Sequence, residues 1–120
     1  MLKIEVQTEP RPQGRVRVVN NHAYYRAVDS EFRDEISWAA RSVMKDAEPL
    51  KCPLSVSVKI YRRFKPASKR YGDVDNFLKS IFDGLNGIVY EDDAQIVRIV
   101  AEKFRDKKNP RAEIFISEYE

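Results

Sequence analysis

Between residues 54 and 61 the chain alternates without interruption: Leu54, Val56, Val58 and Ile60 are apolar, while Ser55, Ser57, Lys59 and Tyr61 are polar or amphipathic. An extended strand sends successive side chains to opposite faces, so this segment predicts a strand with one buried and one open face. Such a sheet needs a covering layer on one side only, and two segments with helical spacing can supply it. From Ser30 to Met44 the apolar residues Phe32, Ile36, Ala39, Ala40, Val43 and Met44 recur at that spacing. Glu31, Asp34 and Glu35 open this helix and Arg41 and Lys45 close it, which complements the helix dipole; Asp29 or Ser30 is the expected cap, and Trp38 an expected packing residue. Over residues 76–86, Phe77, Leu78, Ile81, Phe82 and Leu85 make a second apolar face, with Asp75 at the expected cap and Asn86-Gly87 as the stop.

The remaining segments read as strands and turns. Leu2, Ile4 and Val6 alternate with Lys3, Glu5 and Gln7, predicting a strand over residues 2–8 that Pro10 and Pro12 end. Arg15 to Val19 and Ala23 to Arg26 flank Asn20-Asn21-His22, which reads as a hairpin turn. Residues 95–104, with Val97, Ile99 and Ala101 on one face, and 111–118, with Ala112, Ile114 and Ile116, are two more strands. The predicted order is β-β-β-α-β-α-β-β: a single α+β domain over residues 1–120, with two helices on a mixed or mainly antiparallel sheet. A chain of 120 residues and 14.0 kDa has no room for a second lobe.

Charge is divided along the chain. Residues 1–72 hold 15 Lys/Arg and 8 Asp/Glu, whereas residues 73–120 hold 7 and 11, so a modest net charge of +3 hides a basic part and an acidic part. Lys59, Arg62, Arg63, Lys65, Lys69 and Arg70 succeed one another without an acid, and Tyr61, Phe64 and Tyr71 lie among them. Read alone, such a run is a solvated surface or a phosphate-binding stretch. The acids Asp73-Val74-Asp75 come directly after it, and Glu91-Asp92-Asp93 later. One Cys52 and one His22 cannot build a thiolate or imidazole metal site, so any metal must be held by oxygen. No apolar run approaches the length of a membrane span, and the first residues lack a signal-peptide pattern; a cytoplasmic protein is expected.

Asp73 and Asp75, one residue apart, would point the same way in an extended segment and could share a hard cation such as magnesium or manganese. The alternative for the pair is that Asp75 caps the helix and Asp73 is exposed. Lys79 lies on the polar side of the second helix, where it can face a phosphate or pair with Asp75 or Asp83.

The string Gly72-Asp73-Val74-Asp75-Asn76-Phe77-Leu78-Lys79, then Phe82-Asp83-Gly84-Leu85-Asn86, then Val89-Tyr90-Glu91-Asp92-Asp93-Ala94-Gln95-Ile96, resembles the signature of the RusA family of Holliday junction resolvases. The Pro10-x-Pro12-Gln13-x-Arg15-x-Arg17 segment, the first helix and the total length are also similar to that family. The resemblance implies a homodimeric, magnesium-dependent endonuclease that resolves four-way DNA junctions in recombination and repair. By the same likeness Asp73 and Asp75 match the metal-binding Asp-x-Asp, Asp93 the second aspartate of the later acidic pair, and Lys79 the essential lysine; Asp92 ranks below them. Arg15, Arg17, Lys65, Lys69 and Arg70 are the expected DNA contacts. Two rivals stand beside this reading. One is a related nuclease acting on other branched or single-stranded substrates; the other is a non-catalytic nucleic-acid-binding module in which Tyr61, Phe64 and Tyr71 stack bases.

Overall fold

A computed structural model describes residues 1–12, 17–19, 22–24 and 27–120. Its elements keep the predicted order: β1 (Leu2–Val6), β2 (Arg17–Val19), β3 (His22–Tyr24), α1 (Ala27–Met44), β4 (Leu54–Arg62), α2 (Val74–Leu85), β5 (Ile96–Arg105) and β6 (Arg111–Glu118). Four strands form one mixed sheet in the order β1-β6-β4-β5, and β2 pairs with β3 separately. β6 runs antiparallel to both β1 and β4, while β5 lies parallel to β4 at the edge. The domain is α+β, as the patterning of the chain implies.

The period-two reading of β4 holds residue by residue. Leu54, Val56, Val58 and Ile60 are buried, and the intervening side chains are half-exposed on the other face. Ala112, Ile114 and Ile116 of β6 and Ile4 and Val6 of β1 continue the buried face, which Phe32, Ile36, Ala40 and Met44 of α1 and Phe77, Ile81 and Leu85 of α2 cover. Both helices therefore lie on one side of the sheet. Gly84 sits where they cross: a Cβ there would stand 2.8 Å from the Arg33 carbonyl oxygen and 2.9 Å from Ile36 Cβ, and the Ser37 hydroxyl donates to the Gly84 carbonyl at 2.8 Å.

Four expectations change. Trp38 is 73% exposed, because the buried stripe of α1 runs through Phe32, Ile36 and Ala40 and residue 38 projects from the opposite side. α1 begins at Ala27, so Asp29 and Ser30 lie inside its first turn instead of capping it. His22 pairs with Val19 in the β2–β3 ladder and is not part of the turn. Val97 and Ile99 are 55% and 46% exposed, since β5 is the edge strand and α2 barely reaches over it. The register shift between Leu54 and Ser55 passes over Val97, so it has no partner across the ladder.

One connection shapes the surface at the end of β4. β5 and β6 flank β4, so the turn between them, residues 106–110, has to cross that end. The Asp106 amide donates to the Arg62 carbonyl at 2.8 Å and fixes the crossing.

Candidate active site

Beyond Arg62 the chain must leave the sheet and enter α2 at Val74, and three side chains hold this connection in place. Tyr71 is fully buried, with its hydroxyl 2.7 Å from the carbonyl oxygens of both Ile60 and Phe104. Burial pushes its phenol up to about 12, against the opposing pull of the Phe104 backbone and Arg62, so it remains a neutral donor. Arg62 donates to the Tyr71 carbonyl and to Glu9, and its guanidinium lies over the rings of Phe64, Tyr71 and Phe77. Lys103 reaches across from β5 to the Gly72 carbonyl at 3.0 Å. Gly72 itself adopts φ +100° with Pro12 and Phe77 packed against it, a conformation and a gap that glycine fits. Asp73 is delivered to a defined point by these contacts.

Asp73, not Asp75, occupies the N-cap position of α2; its backbone is extended but its carboxylate makes no capping bond. Asp75 lies in the first helical turn, so the two acids do not share the extended geometry that spacing alone suggests. Neither carboxylate is committed to capping, and both are exposed. Asp75, Lys79 and Asp83 recur at four-residue intervals along one ridge, about 6 Å per step. Lys79 is exposed and forms no ion pair among the described residues.

Asp93 begins a short 3-10 turn, Asp93–Gln95, that docks beside the far end of α2. Tyr90 is buried and donates to the Phe82 carbonyl at 2.9 Å. Gln95 accepts from the amides of Glu91 and Asp92, which braces the acidic turn, and donates to the carbonyls of Leu50 and Cys52, which ties that turn to the loop before β4. Spacing alone gives Gln95 no such role. The Asp93 carboxyl, on an exposed residue, is held above its usual range, first by a hydrogen bond with Asp92, then by slight desolvation and the charges of Asp92 and Asp83. Asp83 thus joins the acidic turn, whereas Asp73 and Asp75 stand at the other end of α2. Eight residues separate Asp75 from Asp83, or about 12 Å along the axis. Among the described residues no group of three His, Cys, Asp or Glu side chains is close enough to hold a metal ion.

The basic stretch divides into supporting and open positions. Arg62 and Arg63 are ion-paired with Glu9 at 3.3 and 2.7 Å. Lys65, Lys69 and Arg70 are exposed on the connection leading to Asp73. Arg17 starts β2, and Arg15 lies outside the described residues. Tyr61 is on the open sheet face, stacked on Phe104 at 5.0 Å with Arg111 3.7 Å from its ring. Tyr71, being fully buried, is unavailable to stack a base. A cleft of about 680 Å³ opens where the 106–110 crossing meets this connection, and Arg63, Lys65, Ser68, Arg70, Arg105 and Lys107 line it. Arg105 and Lys107 come from a distant part of the chain, and no local pattern links them to the basic stretch.

Comparison with known proteins agrees with these features. The chain is 29% identical over 140 aligned positions to "Uncharacterized protein YqaN" of Bacillus subtilis (strain 168), an alignment spanning 98% of this chain and 96% of that protein. Residues 6–117, which include the anchored connection, the α2 ridge and the Gln95-docked turn, match the family described as endodeoxyribonuclease RusA. With nearly its whole length accounted for by that match, the chain belongs to the RusA endodeoxyribonuclease family, whose chemistry is hydrolysis of DNA phosphodiester bonds.

Proposed function

We propose that the protein is a divalent-metal-dependent resolvase that cuts four-way DNA junctions by paired, symmetric incision, and that it acts in recombination and repair. The observation that carries this reading is the joint placement of Asp73, Asp75 and Lys79, all exposed, at the start of α2, directly after an anchored, cation-rich connection. A pure binding module gives no reason for carboxylates beside a phosphate-binding surface, and it loses Tyr71 as a stacking platform.

Asp73, Asp75 and Asp93 would hold magnesium or manganese. The donor chemistry fits a hard cation: every group is a carboxylate, and the raised Asp93 carboxyl marks negative charge that a cation would offset. Carboxylates set beside one another without such an offset repel. When bound, the ion supplies Lewis-acid activation of water and stabilisation of charge on the phosphate. Lys79 directs its ammonium at a non-bridging oxygen or at the leaving oxygen, where negative charge grows as the bond breaks. Gln95 and Tyr90 act as positioning residues, holding the turn that carries Asp93. Arg15, Arg17, Lys65, Lys69 and Arg70 bind the DNA backbone. Two cuts related by the near two-fold symmetry of a junction call for two such centres, so the working form is a homodimer. Its substrate places it in the cytoplasm; among the described residues no helix is long and apolar enough to cross a membrane.

The test is cleavage of a labelled four-way junction beside a linear duplex of the same sequence, with magnesium and with chelator, by the wild type and by Asp75→Asn. Symmetric, magnesium-dependent nicking of the junction that the variant lacks is the expected result. Tight binding without cleavage in any metal would overturn the reading.

A further inference from the structure

We propose that the cleft between the end of β4 and the 106–110 crossing is a phosphate subsite that grips the DNA strand within about three nucleotides of the cleaved bond, an assignment that rests on the nuclease reading above.

Four cations face this cleft without a carboxylate partner among the described residues: Lys65, Arg70, Arg105 and Lys107. Glu9 and Asp106 are engaged elsewhere. Glu9 binds Arg62 and Arg63, while the Asp106 carboxylate accepts from the Lys108 and Asn109 amides and pairs with Arg111 at 3.1 Å. Positive charge is therefore concentrated in a concave space, the arrangement that attracts and retains an anion.

The donors are also held in place. Arg105 Nε donates to the Arg63 carbonyl at 3.2 Å, which orients the guanidinium and leaves its terminal N–H groups free. Arg70 lies over the Phe64 ring, 5.7 Å from its centroid. Ser68 is fixed by a turn in which its amide donates to Lys65 and its carbonyl accepts from Tyr71. Its hydroxyl oxygen is buried and lacks a hydrogen-bond partner among the described residues. A group of that kind in the wall of a cationic cleft is a donor awaiting an acceptor. A phosphodiester supplies what is missing: negative charge for the cations and oxygens for the guanidinium forks and the hydroxyl.

The position sets the distance to the chemistry. Two residues lie between Arg70 and Asp73, so their Cα atoms are at most about 11 Å apart. A DNA strand advances about 3.4 Å per nucleotide along the helix axis, so that reach is at most about three nucleotides. The subsite would orient the strand at the metal-binding acids in addition to holding it.

The test measures equilibrium binding of a four-way junction, in chelator to prevent cleavage, across a series of salt concentrations. The proteins are the wild type, Arg105→Ala/Lys107→Ala and the charge-preserving Arg105→Lys/Lys107→Arg. A second substrate series carries one uncharged methylphosphonate at successive positions from the cut. Loss of one phosphate contact should reduce the slope of log affinity against log salt by about 0.9 in the alanine variant. The charge-preserving variant should restore most of that slope. One methylphosphonate, within about three nucleotides of the cut, should weaken the wild type yet add nothing to the alanine variant. Unchanged affinity and slope in a folded alanine variant, or a methylphosphonate effect that persists in it, would overturn the subsite while leaving junction cleavage intact. A wild type that cuts no DNA in any metal, with slopes that still depend on Arg105 and Lys107, would instead remove the nuclease reading and leave the anion site.

Discussion

Substituting Gly84 with alanine tests how α2 is held. The added Cβ would stand 2.8 Å from the Arg33 carbonyl oxygen, about 0.6 Å short of ordinary contact, which begins at 3.4 Å. Backbone cannot swing aside as a flexible side chain can, so α1 and α2 must separate and loosen the packing of Ile36 against α2. Overpacking of this sort costs about 1–3 kcal/mol. Loss of the Ser37–Gly84 hydrogen bond adds about 1 kcal/mol, and the better helix propensity of alanine returns about the same amount. The net destabilisation is about 2 kcal/mol, which for a domain of this size lowers the melting temperature by about 8 °C. Thermal unfolding followed by circular dichroism measures it directly. Ser37→Ala, which removes the hydrogen bond without adding bulk, should fall by about half as much. A Gly84→Ala protein melting at or above the wild-type temperature would refute the close crossing, because that is how an unobstructed helical glycine responds to alanine.

Other perturbations probe the anchored connection and the site. Tyr71→Phe should destabilise by about 1–3 kcal/mol, as the Ile60 and Phe104 carbonyls lose their buried donor. With the Tyr71 phenol raised from 10.0 to about 12, the stability it contributes is complete below pH 10 and declines as pH rises towards 12; a gap to the phenylalanine variant that does not narrow over that range would contradict the assignment. Burial works to raise the Glu9 carboxyl, but Arg63 and Arg62 outweigh it and bring it below 4.5, so its contribution is present above that pH and lost as pH falls through the lowered value. Glu9→Gln should therefore melt lower than wild type near neutrality, and the two should converge in acid; a constant difference would dismiss the ion pairs as its cause. Lys79→Ala should reduce junction cleavage by about 10²–10³-fold with DNA binding and melting temperature nearly unchanged, whereas full activity would remove Lys79 from the mechanism.

Much of this protein is legible in the order of its residues because short-range periodicity reports directly on burial. The alternation at residues 54–61 and the apolar stripe through Phe77, Ile81 and Leu85 assign β4 and α2 their inward faces. The same reasoning fails at Val97 and Ile99: an apolar alternation announces a strand, yet whether its face is covered depends on its place in the sheet. It fails at Trp38 because bulk alone does not specify which side of a helix meets the core. Placing Asp75 at the cap misses the start of α2 by two residues, since the choice between neighbouring acids is made by Gly72, Tyr71 and Lys103 holding the chain just upstream.

Residues near one another in the chain are enough to establish the element order, the split between a basic and an acidic part, and a set of oxygen donors suited to a hard cation. Contacts between distant segments were needed to put β5 at the sheet edge, to pin the turn carrying Asp93 with Gln95, and to bring Arg105 and Lys107 to Lys65 and Arg70 around one cleft. The difference lies in the sheet order. Placing β4 between β5 and β6 obliges their connection to cross the end of β4, and that crossing joins charges that no local pattern relates.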